Sequence, residues 1–172
     1  MIDELTDRSH PAWRHAGLID SSRIGVAGHS LGGASAVPTM AHDRRVRAGV
    51  DLDGTMFAPV PADGLGGRPF MMIGHPTGTD EDPTWTAAWS RLTGWKRWLT
   101  VTGSDHASFT DLPVLAEALG IPDPSTTLSP ARAVQLTRTY VAAFFDLYLR
   151  HIPAPILNGP DPTYPEVTFH AP

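Results

Sequence analysis

The chain has 172 residues, enough to bury one core and too few for two full domains. Apolar residues make up 41% and charged residues 18%, without repeats or low-complexity tracts, which excludes disorder as the overall state. A net charge of −5, with no basic cluster longer than Arg44, Arg45 and Arg47, excludes nucleic acid as a partner, and the absence of cysteine excludes disulfides and thiolate zinc sites.

The N-terminal MIDELTDRSHPAW has acids where a secretory signal needs a positive and then an apolar stretch, and IDEL reads as a helix already under way. No later run approaches membrane-spanning length, so no integral membrane segment is expected. Arg23 to Gly28 is a short apolar run that breaks at glycine, and the small residues Leu31 to Ala41 follow at once, which reads as strand, sharp turn and helix. Pro38 inside that helix removes a hydrogen bond, so a kink or an early stop is expected.

Further strands are predicted over Val46 to Leu52, Arg68 to Gly74 and Trp98 to Thr102. Asp111 to Leu119 has helical spacing behind an aspartate cap and ends at Gly120. The longest helix is predicted from Ser129-Pro130 to about Arg150, with an apolar face of Val134, Leu136, Tyr140, Val141, Phe144, Phe145 and Tyr148. Strands separated by helices predict an α/β fold, with a parallel sheet of about four strands flanked by helices in one domain over 1–172. The tail 152–172, holding six of the 17 prolines, reads as an extended surface segment.

The chemistry concentrates in Gly28-His29-Ser30-Leu31-Gly32-Gly33, a G-x-S-x-G nucleophile elbow between a strand and a helix. Small residues are needed there because the serine backbone is strained, and Gly28 and Gly32 let strand and helix approach closely. The alternative is a glycine-rich turn that merely packs well or cradles a phosphate. On the first reading Ser30 is the nucleophile, and the Leu31 N–H at the head of the helix is an oxyanion donor.

A serine hydroxyl needs a base, and the base needs an orienting carboxylate. His106, in the polar loop after the fourth strand, is the expected base, with His75 after the third strand as its only rival. Asp51, Asp53, Asp80 and Asp82 all lie between serine and histidine in the chain. Asp53, at the end of the second strand, is favoured because its carboxylate should emerge at the catalytic edge, close to one ring nitrogen of His106 while the other faces Ser30 Oγ. Phe109 is expected to anchor the histidine loop by packing, and Asp111 to cap the next helix. Trp85, Trp89, Trp95 and Trp98 read mainly as core, with an apolar acyl-facing wall as the alternative.

GHSLGG, then GVDLDGTMF with its aspartate 23 residues beyond the serine, then SDHASFTD with its histidine 53 residues further on, together resemble the platelet-activating-factor acetylhydrolase family and its bacterial α/β-hydrolase relatives. The resemblance spans about residues 20 to 111 and supports Asp53 as the acid and His106 as the base. It implies a serine hydrolase for carboxylic esters, short-acyl or lipid-like, that needs no metal or organic cofactor. A lipase or polyester hydrolase with a wider cleft is one alternative, and a non-catalytic remnant of the fold is the other.

An α/β-hydrolase of this kind also has strands before the elbow strand, so the chain reads as a partial α/β-hydrolase fold lacking its N-terminal strands. A fragment, a displaced gene start or a partner that supplies the rest would each account for this. Two consequences are expected: the loop that gives a second oxyanion donor is missing, and Arg23 to Gly28 is a bare edge open to self-association.

Overall fold

The computed structural model describes residues 2–7, 15–76, 82–121, 124 and 126–170. In chain order the elements are α1 (Ile2–Thr6), β1 (Ile24–His29), α2 (Leu31–Ala34), α3 (Ala36–His42), β2 (Val46–Leu52), β3 (Phe70–Gly74), α4 (Pro83–Arg91), β4 (Lys96–Val101), α5 (Leu112–Ala118), α6 (Pro130–Arg150) and β5 (Val167–Phe169). They form one sheet in the order β1-β2-β3-β4-β5, in which the first four strands are parallel and β5 runs antiparallel to β4.

The two central strands are apolar because both of their faces are covered. Met71 and Ile73 of β3 join Val50, Leu99, Leu136, Tyr140 and Phe144 under α6. Phe70 and Met72, one residue out of phase, join Val37, Met40, Trp85 and Trp98 on the opposite face. Each such side chain contributes about 1.5–3 kcal/mol on full burial.

Helix α6 begins where Ser129-Pro130 predicts: Ser129 Oγ accepts from the Arg132 N–H at 3.3 Å, and proline occupies the first turn. The expected helix after the elbow is divided between α2 and α3. Pro38 lies in the first turn of α3, where its missing N–H has no partner to lose.

The sheet has five strands where four were expected, because the proline-rich tail does more than lie on the surface. It buries Leu157 through a 3₁₀ turn at Pro155–Leu157, then pairs Val167, Thr168 and Phe169 with β4. No proline falls within the three residues that pair, so the ladder keeps its donors. At the opposite edge, β1 pairs with β2 and with no other strand among the described residues.

Candidate active site

The carboxyl ends of β1, β2, β3 and β4 bring Ser30, Asp53, His75 and His106 to one edge of the sheet. Ser30 has φ 56° and ψ −125°, a conformation that non-glycine residues rarely adopt and that costs on the order of 1–3 kcal/mol. It is held on both sides: its N–H donates to the Leu52 carbonyl at 2.9 Å, and its carbonyl accepts from the Ala34 N–H at 2.9 Å.

The elbow's tight approach falls on Gly28, as expected, and on Gly33 rather than Gly32. A Cβ on Gly28 would stand 2.3 Å from the backbone of Gly32, as the close strand-to-helix contact requires. Gly32 itself faces open space. The second crowded position is Gly33, whose Cβ would lie 2.0 Å from Asp51 Oδ1.

Asp53 stands just past β2 with φ 58°, and its N–H donates to the Ile73 carbonyl at 2.9 Å. Its carboxylate accepts from three donors. His106 Nδ1–H reaches Oδ2 at 2.6 Å, His75 Nδ1–H lies 2.7 Å from the same oxygen, and the His75 backbone N–H reaches Oδ1 at 2.8 Å. Because a carboxylate can only accept, both rings carry their proton on Nδ1, which leaves Nε2 as the free base of each neutral ring. His29 contributes another restraint: its Nε2–H donates to the His106 carbonyl at 2.7 Å, and the two rings lie 4.4 Å apart.

Ser30 and His106 border one cavity of about 340 Å³, within the size range of small-ligand sites. Trp85 and Trp98 form its apolar wall, with ring centroids 5.5 Å apart, and Trp85 Nε1–H donates to the Gly54 carbonyl at 2.7 Å. Trp85 and Trp98 thus fit both readings, buried in the core and lining the cavity, while Trp95 packs on Phe144 and Tyr148 of α6. Leu31 and Phe57 also border the cavity with side chains largely in solvent.

The remaining acids have other work. Asp82 is the N-cap of α4, accepting from the Thr84 N–H at 2.7 Å, and Asp80 lies outside the described residues. Asp111 occupies the N-cap position of α5 without a side-chain cap bond; Thr110 Oγ1 accepts from the Leu112 N–H instead. Phe109 is buried against the core, and Asp105 with Ser108 forms a capping box over the turn that carries His106. Asp53, His75 and His106 offer ligand atoms within 4.8 Å of one another, the arrangement among the described residues that has metal-ligand chemistry, although each Nδ1 is engaged with the carboxylate.

Asp51 lies beneath the elbow, fully buried, with Oδ1 accepting from the Gly54 N–H at 2.9 Å and Oδ2 without a hydrogen-bond partner among the described residues. Burial pushes its carboxyl up to about 8, against the opposing Gly54 hydrogen bond. The folded value thus exceeds the unfolded one of about 4, so the stability tied to this proton is complete below pH about 4 and declines as pH rises towards 8. Asp51→Asn is expected to flatten that part of the decline. Thermal melts of parent and variant across this range check it, and a parent-minus-variant difference that does not change with pH would refute it.

The family described as platelet-activating factor acetylhydrolase, isoform II, matches residues 6–149. A protein of Arthroderma benhamiae named "Probable 1-alkyl-2-acetylglycerophosphocholine esterase" is 30% identical over 167 residues, covering 86% of this chain and 43% of its own. The platelet-activating factor acetylhydrolase of Gallus gallus is 32% identical over 119 residues, 63% of this chain and 27% of its own. The solved structure of a ferulic acid esterase from Streptomyces cinnamoneus superposes with a TM-score of 0.87 at 44% identity, covering 99% of this chain and 52% of that one. The matches thus cover between 27% and 52% of these relatives' own lengths.

Proposed function

The chain belongs to the platelet-activating factor acetylhydrolase isoform II family of esterases, and from that membership we propose that it cleaves carboxylic esters, short-acyl or lipid-like, through an acyl-enzyme on Ser30. The observation that carries the proposal is the 2.6 Å bond from His106 Nδ1–H to Asp53, made on the wall of the cavity that Ser30 shares.

The chemistry follows from the tautomer. With Nδ1–H donated to Asp53, His106 presents the Nε2 lone pair and accepts the Ser30 hydroxyl proton as Oγ attacks the ester carbonyl. The carbonyl oxygen becomes an oxyanion stabilised by the Leu31 N–H. Such donors carry large effects, and the loss of a single one costs about 10²–10³ in rate. Asp53 stabilises the imidazolium, which then protonates the departing alcohol. Water, activated by the same Nε2, attacks the acyl-enzyme, releases the acid and restores Ser30.

The exposed Leu31 and Phe57 at the rim favour an ester with an apolar acyl or alkyl part. The relatives' names span acetyl and feruloyl esters, so a panel graded by acyl length, with a feruloyl ester beside it, reads the preference.

A fluorophosphonate probe tests catalysis directly. Covalent labelling is expected at Ser30 and is expected to vanish in Ser30→Ala. A folded, unlabelled parent would instead favour a non-catalytic member of the fold.

A further inference from the structure

We propose that His75 is a positioning residue for this reaction, its ring Nδ1–H and backbone N–H together holding the Asp53 carboxylate in the orientation that meets His106. This rests on the reading of Ser30, His106 and Asp53 given above. The two donors act on different parts of the group. The backbone N–H binds Oδ1 alone, at 2.8 Å, and leaves the carboxylate plane free to turn about it. The ring Nδ1 lies 2.8 Å from Oδ1 and 2.7 Å from Oδ2, so it fixes that plane and with it the oxygen that His106 uses.

The seat is built by the register of the sheet. Leu52 of β2 pairs with Ile73 of β3, which sets Asp53 beside Gly74 and His75 where the two strands end. A Cβ on Gly74 would stand 2.6 Å from Asp53 Oδ1, so the glycine leaves the room that the carboxylate occupies. The Asp53 side chain is only 6% exposed, and water has little access to replace a lost donor. His75, at 31% exposure, thus supplies from the cavity side what solvent cannot.

The predicted consequence is partial, because the backbone bond survives any change of side chain. In His75→Phe, which keeps the ring shape and loses the donor, and in His75→Ala, kcat is expected to fall about 10- to 100-fold, the scale of one hydrogen bond to a charged group. KM should stay near the parent value, since the carboxylate orientation matters when the His106 charge develops. His75→Asn should recover most of kcat, because its amide N–H can occupy the position of the ring Nδ1–H. A low-field proton resonance from the His106 Nδ1–H should be present in the parent and in His75→Asn, and weakened in His75→Phe.

Parental kcat with an unchanged resonance in His75→Phe would overturn the proposal, and so would a His75→Asn variant as slow as His75→Ala. Should His75→Phe fail to fold, the Asn and Ala pair decides alone. Failure of the underlying reading looks different: Ser30→Ala would keep its labelling, or His106→Ala would retain turnover while the His75 variants lost it completely.

Discussion

Asp53→Asn is expected to lower kcat by about 10⁴-fold, the scale set by mis-orienting the histidine in serine proteases. The cause here is a count of donors and acceptors. The carboxylate accepts from His106 Nδ1–H, His75 Nδ1–H and the His75 backbone N–H through its two oxygens. Asparagine keeps one acceptor and turns the other atom into a donor, which must then face an N–H or a ring lone pair. Either an imidazole moves its proton to Nε2, or the amide nitrogen is left against the His75 backbone N–H, a clash that no tautomer change relieves. If His106 does so, it cannot take the Ser30 proton, and if it stays, its Nδ1–H loses the negative charge that stabilises the imidazolium. Steady-state kinetics on an activated ester, with melting curves to confirm folding, check the value. Turnover within tenfold of the parent, or its loss in Asp80→Asn or Asp82→Asn with Asp53→Asn intact, would remove Asp53 from its role.

Much of the fold was legible because its signals are local. The elbow shows in GHSLGG because strand, strained serine and helix must approach within contact distance, and only glycine permits it at position 28. Helix α6 shows in Ser129-Pro130 because cap and first turn are chemically distinctive. The same signature, Asp82-Pro83, opens α4, but with Asp82 in view as a possible acid its capping role was missed. Strand β5 escaped because three residues among many prolines carry no periodicity.

The role of His75 escaped for a different reason. It appeared as a competitor of His106, since each follows a strand and each is a polar ring at the carboxyl edge. Their relation depends on the β2–β3 register, which puts one carboxylate between two imidazoles, and no spacing along the chain encodes that. The usable signal was weaker: adjacent parallel strands that end in Asp53 and in Gly74-His75, with a glycine where the neighbouring carboxylate needs room. Asp51 and Gly33 are similar, a buried carboxyl and a missing Cβ that account for each other only when β2 and α2 are brought together.

At the other end of the sheet, we expect the isolated chain to self-associate through β1 and Ala27→Pro to return it to monomers. Strand β1 has β2 on one side and no paired strand on the other among the described residues, although parallel strands normally lie inside a sheet. Its edge is not protected by charge, since IGVAGH contains no acid, lysine or arginine. Backbone donors alternate along a strand, and the Ser30 N–H points to Leu52 of β2. Those of Gly25, Ala27 and His29 are therefore offered to the open side. Proline at 27 removes the central outward donor and leaves the β2 ladder intact, since proline is tolerated on an edge strand where its N–H would face outward. A second copy of the chain, presenting the same edge, satisfies both rows of donors and acceptors at once in a two-fold pairing. Sedimentation across a concentration series should show association in the parent and its loss in the variant. A parent that stays monomeric at high concentration would refute the idea, and so would an Ala27→Pro variant that associates as the parent does.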